Sequence, residues 1–160
     1  MREAATEVQG FGDSLALARQ AWILEAGRRL GREGFADYRR SDAFIMRRLQ
    51  HAPSTLGALG HDLAMTRQGA RKIVDTLLER GYARLEPDPS DARKSRVILT
   101  RRGANYARAI TNVIAEMNAE LRNSVGERAL ENATRVLRQL RRDFSATDDS
   151  TNNPWRVGSR

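Results

Sequence analysis

Thr66, Arg67, Gln68, Arg71 and Lys72 lie within seven consecutive positions. Arg, Lys and Gln carry the donors that read guanine and adenine edges in a major groove. Thr66 opens the segment TRQGARKIVDTLLERG and is placed to cap a helix. Ala70, Ile73, Val74, Leu77 and Leu78 follow at helical spacing. The first two turns are therefore polar and basic, while the body has an apolar side to anchor it. Free N–H groups at such a helix start also hold phosphate. The plainer reading is an ordinary solvated face, because Arg and Lys are common on helix surfaces.

A second cluster is DPSDARKSR, residues 88–96, which lies between two strand-like runs at 82–86 and 95–100. Pro cannot donate to a ladder, so Pro87 and Pro89 mark the end of the first strand and stiffen a hairpin tip. Asp91 and Arg93 are two apart, so in extended chain their side chains leave on one side and a carboxylate can hold a guanidinium by a two-bond fork. An exposed pair adds only about 0–1 kcal/mol. Stability is a poor reason for it. Aiming Arg93 into a narrow, strongly negative minor groove is a better one. Lys94 joins these residues as a candidate DNA contact. A solvated turn with no common purpose for its charges is the alternative.

The whole chain favours a polyanion. Its 160 residues carry 28 Lys and Arg against 20 Asp and Glu, a formal charge of +8, with a sequence pI near 11.0. Nucleic acid is the first partner class this implies, and an anionic membrane surface the second. A charge serving solubility alone fits as well. The absence of Cys excludes disulfides, Cys-ligated zinc and iron–sulfur clusters. No apolar run has the length of a membrane span, and MREAATEVQG lacks the apolar core of a secretory signal, so the expectation is a cytoplasmic protein. His51 and His61 with scattered acids do not make a metal site. No nucleophile–base spacing, Walker loop or GxGxxG is present, so neither an enzyme nor a cofactor is expected.

These clusters need elements to hold them. Ser14 is placed to cap a helix bearing Leu15, Ala18, Trp22, Ala26 and Leu30, ended by Gly31 and Gly34. A second helix covers 39–51. A short helix capped by Ser54 or Thr55 precedes the Thr66 helix, which is the helix-turn-helix pattern. Gly81 sits where a C-terminal cap glycine belongs. A hairpin follows, and Thr100 caps a long helix with Ala107, Ile110, Ile114, Met117 and Leu121 in a heptad seam. Leu130, Ala133, Leu137, Leu140 and Phe144 repeat the pattern. These two stripes are expected to bury against a second copy of the chain, with intrachain packing of the two helices as the competitor. The fold expected is mainly α with a small two- to three-stranded antiparallel wing. It divides into an N-terminal segment and helix at 1–35 that contributes to dimerisation, a winged helix-turn-helix at 36–102, C-terminal dimerisation helices at 103–144 and a flexible polar tail at 145–160.

The stretch LGHDLAMTRQGARKIVDTLLERGYARLEPDPSDARKSRVILTRRG resembles the winged helix-turn-helix core of MarR-type transcriptional regulators. DPSDAR followed by SRVILTRRG, after a helix ending LLERGYARL, carries the likeness over about 45 residues. The resemblance implies a homodimer on double-stranded DNA with a pseudo-palindromic site. It implies recognition helices in major grooves, Arg93 in the minor groove, and a repressor relieved by a small aromatic or lipophilic ligand. Such a ligand would sit near Trp22, Tyr38, Phe44 and Arg47, with Arg28 a second candidate anion partner, although aromatics at helical spacing are more often core. Two alternatives stay open: a non-specific, nucleoid-type DNA-binding protein, and a dimeric protein-interaction module that does not bind DNA.

Overall fold

A computed structural model describes residues 10–145. The polar tail expected beyond them, and residues 1–9, lie outside the described part. Two compact units are present, one running to Met117 and one beginning at Asn118.

In the first unit, α1 (Phe11–Arg32) starts three residues before the expected cap at Ser14. Gly10 occupies the cap position in extended backbone, and Ser14 lies inside the first turn, its N–H bonded to the Gly10 carbonyl at 3.1 Å. Asp13 in that turn complements the positive end of the helix dipole. Ala26 and Leu30 are buried, and Trp22 packs against the same core. α2 (Asp42–His51) begins later than position 39 because the preceding chain turns back on itself, with Tyr38 N bonded to Phe35 O and Asp42 N to Arg39 O.

After Pro53 come β1 (Ser54–Thr55), α3 (Leu56–Asp62) and α4 (Arg67–Glu79). Thr55 caps α3 by accepting from Ala58 N at 3.2 Å, and Thr66 caps α4 by accepting from Gly69 N at 3.0 Å. The turn between the two helices is tight enough to hold Ala64 at φ +50°, a conformation that side chains disfavour. Gly81 follows α4 at φ +71°, the left-handed conformation that ends a helix most cheaply with glycine.

The wing has three antiparallel strands in the order β1-β3-β2, where β2 is Ala83–Asp88 and β3 is Asp91–Leu99. Its hairpin is longer than expected. Pro87 lies within β2, opposite Ser95, and the register shifts between Pro87 and Asp88. Only Pro89 and Ser90 make the turn. β2 is an edge strand, so the missing Pro87 N–H breaks no ladder.

α5 (Arg101–Val125) is capped by Thr100, whose hydroxyl accepts from Gly103 N at 3.0 Å and donates to Gly81 O at 2.7 Å. Its first five turns change the expected role of the heptad seam. Tyr106, Ala107, Ile110, Val113 and Met117 are buried in the chain's own core. The core of the helix-turn-helix is not complete without them. Gly103 lets α5 approach the wing: a Cβ there would stand 1.8 Å from the Tyr82 carbonyl oxygen.

In the second unit, α6 (Glu127–Ser145) follows Gly126, and Arg122 and Glu127 pair at 2.5 Å. Leu130, Ala133, Leu137, Leu140 and Phe144 all lie on α6 at the expected spacing, and Val136, Leu137 and Phe144 are exposed in the single chain.

Candidate nucleic-acid interface

The side of α4 that carries Ala70, Val74 and Leu77 is buried. On the other sides of its first two turns, Arg67, Gln68, Arg71 and Lys72 are exposed, as the spacing predicts. Arg67, Gln68 and Arg71, together with Leu56 at the start of α3, line an open groove of about 370 Å³. Thr66 does the capping expected of it. Gly69, the third residue of α4, brings its N–H to that cap, and a Cβ there would press the Thr66 hydroxyl at 3.2 Å.

Arg71 does not project alone. Its Nε donates to both carboxylate oxygens of Asp75, at 2.9 and 3.0 Å, with the two side chains 60% and 43% exposed. Sequence reasoning missed Asp75, although an Arg and an Asp four apart on a helix are neighbours on its surface.

At the wing, the expected fork between Asp91 and the Arg93 guanidinium is not formed. Asp91 Oδ1 accepts from the backbone N–H of Arg93 at 3.1 Å, and Oδ2 faces Lys94 Nζ at 3.3 Å. The reason is reach: a short carboxylate two residues upstream finds the backbone before it finds a distant guanidinium. Asp88 does the same on the other strand, accepting from Ser90 N at 2.8 Å and Ser90 Oγ at 2.6 Å. These Ser90 bonds hold the Asp88 carboxyl below the usual range. The two carboxylates shape the tip, and Arg93 stands exposed on it.

Behind this surface lies a polar network that the sequence did not reveal. Arg80, the C-cap of α4, donates from Nη1 to Asp42 Oδ2 at 2.8 Å, from Nε to Asp37 Oδ2 at 3.0 Å and from Nη2 to the Asp37 carbonyl at 2.6 Å. Asp42 is fully buried and also accepts from the Tyr106 hydroxyl at 2.8 Å. Asp37 accepts from the Tyr82 hydroxyl at 2.7 Å. Tyr82 and Tyr106 stack with centroids 4.4 Å apart, and the Arg80 and Arg102 guanidiniums lie 4.8 and 4.7 Å from the Tyr82 ring centroid. Partial burial pushes the Asp37 carboxyl up, but the bonds from Arg80 and Tyr82 outweigh it and leave the group below its ordinary value. Burial, then the charge of Asp42, pushes the Tyr106 phenol up. The network ties the end of α4 to the chain before α2 and to α5.

The candidate ligand residues separate into two pairs. Trp22 and Tyr38 pack against the core, while Phe44 is exposed with the Arg47 guanidinium 5.4 Å from its ring centroid. Arg28 is committed to Glu25, with bonds of 2.8 and 2.6 Å.

No family model matches the chain, and no curated protein matches its sequence. Solved structures do match its fold. The MepR–DNA complex of S. aureus is 17% identical with a TM-score of 0.71, covering 85% of this chain and 99% of that one. The PcaV transcriptional regulator of Streptomyces coelicolor, solved with its natural ligand, is 20% identical with a TM-score of 0.69, covering 86% and 96%. The reduced form of MarR from E. coli is 18% identical with a TM-score of 0.65, covering 84% and 98%. A helix-turn-helix flanked by a three-stranded wing, with long helices after it, is thus the architecture these proteins share, and the chain has the winged-helix fold of the MarR-type transcriptional regulators.

Proposed function

We propose that the chain is a homodimeric, sequence-specific DNA-binding transcriptional regulator, acting as a repressor. In this reading α4 enters a major groove by its N-terminal turns, and the wing tip carries Arg93 into the neighbouring minor groove. The observation that carries the reading is the exposed cationic start of α4 on a helix whose body and far end are held by the core. The fold shared with a protein solved on DNA supports it. Exposed apolar side chains favour a second copy as partner: Leu24 on α1 is 66% exposed, and Val136 on α6 is 50% exposed. A twofold dimer sets its two recognition helices about 34 Å apart, one turn of DNA, and reads a pseudo-palindrome. The fold shared with PcaV, solved with its natural ligand, supports a ligand-responsive regulator, and the effector in this reading is a small aromatic or lipophilic molecule.

A titration of the full chain against a selected duplex, with random duplex as competitor, tests the reading. Specific binding is expected to exceed random binding by roughly a thousandfold or more at physiological salt. Arg93→Ala is expected to weaken the specific complex at least about tenfold, with an unchanged melting temperature. Equal affinity for all duplexes would instead support the non-specific reading, and an unaffected Arg93→Ala variant would remove the wing from the interface. Sedimentation as a monomer at micromolar concentration would remove the dimer.

A further inference from the structure

We infer that Arg71 reads a guanine in the major groove by its terminal nitrogens and that Asp75 is the positioning residue that aims it. This rests on the DNA-binding reading above and says which base that surface selects.

The inference starts from an acid in an odd place. Asp75 lies one turn beyond Arg71 on α4, away from the buried side formed by Ala70, Val74 and Leu77. A bare carboxylate there would repel phosphates at the surface proposed to meet DNA. It is not bare, because both its oxygens take the Nε–H of Arg71. An exposed pair of this kind contributes little to stability, so its effect on the arginine matters more than its effect on the fold.

That effect is geometric. A guanidinium is planar and presents its donors as a rigid fork. With Nε held by Asp75, the outer edge of the plane is the Nη1–Nη2 side. Two parallel donors match guanine, which offers O6 and N7 as adjacent acceptors. Adenine puts an amino donor beside its N7 and cytosine offers an amino donor, so both oppose the fork, and thymine has a single O4. Asp75 also discourages the alternative use of Arg71. If the guanidinium swung to a phosphate, the carboxylate would be left uncompensated beside the DNA. The pair therefore biases Arg71 away from sequence-blind contact and towards a base edge. Gln68 and Arg67 share the groove with Arg71 and are left for neighbouring contacts.

The test uses the full chain and a pool of randomised duplexes, followed by dissociation constants at one fixed salt concentration. The wild type is expected to select a half-site containing a guanine whose replacement by adenine weakens binding about ten- to a hundredfold. Arg71→Lys keeps the charge but lacks the fork. It is expected to lose discrimination at that one position and to keep the rest of the site. Asp75→Asn is expected to narrow the guanine preference about threefold or more while raising affinity for random duplex, since it removes both the tether and a negative charge. A purely structural role for Asp75 would not move those two quantities in opposite directions. Both side chains are exposed, and a melting curve verifies that each variant folds. If Arg71→Lys retains the guanine preference, the assignment of Arg71 is overturned. If Asp75→Asn leaves the ratio of specific to random affinity unchanged, the positioning role is overturned. In both cases a wild type that selects a site leaves the DNA-binding reading standing. A wild type that selects no site overturns that reading and this inference together.

Discussion

The two ends of α4 each pair an arginine with carboxylate, and they use the same chemistry in opposite ways. At the far end Arg80 is largely buried, and its partner Asp42 is wholly so. Each of them makes several further hydrogen bonds. At the near end Arg71 and Asp75 sit in solvent with one donor between them. Burial makes the first pair obligatory, because either charge left alone in the core is costly. Exposure makes the second pair optional for the fold, and so available to steer a contact. One helix is thus anchored where it is dry and adjustable where it is wet.

That contrast can be broken by four measurements. Asp42→Ala leaves Arg80 Nη1 and the Tyr106 hydroxyl without their buried acceptor, and it is expected to lower the unfolding free energy in urea by about 3–5 kcal/mol. A loss no larger than that of Asp75→Ala would mean that burial does not separate the two ends. Gly103→Ala puts a methyl into the Tyr82 carbonyl and displaces the residue whose hydroxyl joins the network. Forced shifts of this kind cost about 1–3 kcal/mol, read as a fall in melting temperature. An unaltered melting curve would show that α5 can slide without disturbing the anchored end.

The third measurement is acid titration. The folded state holds the Asp37 carboxyl below its unfolded value of 3.8. Its contribution is therefore present in full above that value and is lost as pH falls through the lower folded value. The stability gap between wild type and Asp37→Asn should be flat near neutrality and should shrink only below about pH 4. A gap that changes between pH 6 and 8 would contradict the pairing. The smallest effect is expected of Arg71→Ala, which should change stability by about 0–1 kcal/mol. A larger loss would make the near end structural and would sharpen the comparison against us.

The elements were legible where local spacing decides them. Thr55, Thr66 and Thr100 each cap the helix they precede, because a hydroxyl there satisfies N–H groups that have no other partner. Arg67, Gln68, Arg71 and Lys72 are exposed together because a helical period puts the anchoring residues elsewhere. The wing was legible as a hairpin but not in length, since Pro87 reads as a strand end until its strand is known to be an edge. Asp91 and Arg93 show the limit of reading side chains from spacing. Two apart in extended chain puts them on one side, yet the backbone N–H was nearer to the carboxylate than the guanidinium was. The α5 seam was periodic as read, but periodicity does not say which surface it meets.

What the chain determined by itself is a set of amphipathic helices, their caps, a basic helix start and a charged ribbon, because those depend on residues a few positions apart. The tertiary structure decided the rest. It brought Asp42 to Arg80 and to Tyr106, across 38 and 64 residues, and buried Ala107, Ile110 and Met117 of the α5 seam inside one chain. Neither outcome has a local signature, since a buried charge acquires its meaning only from partners that the fold delivers from far along the sequence.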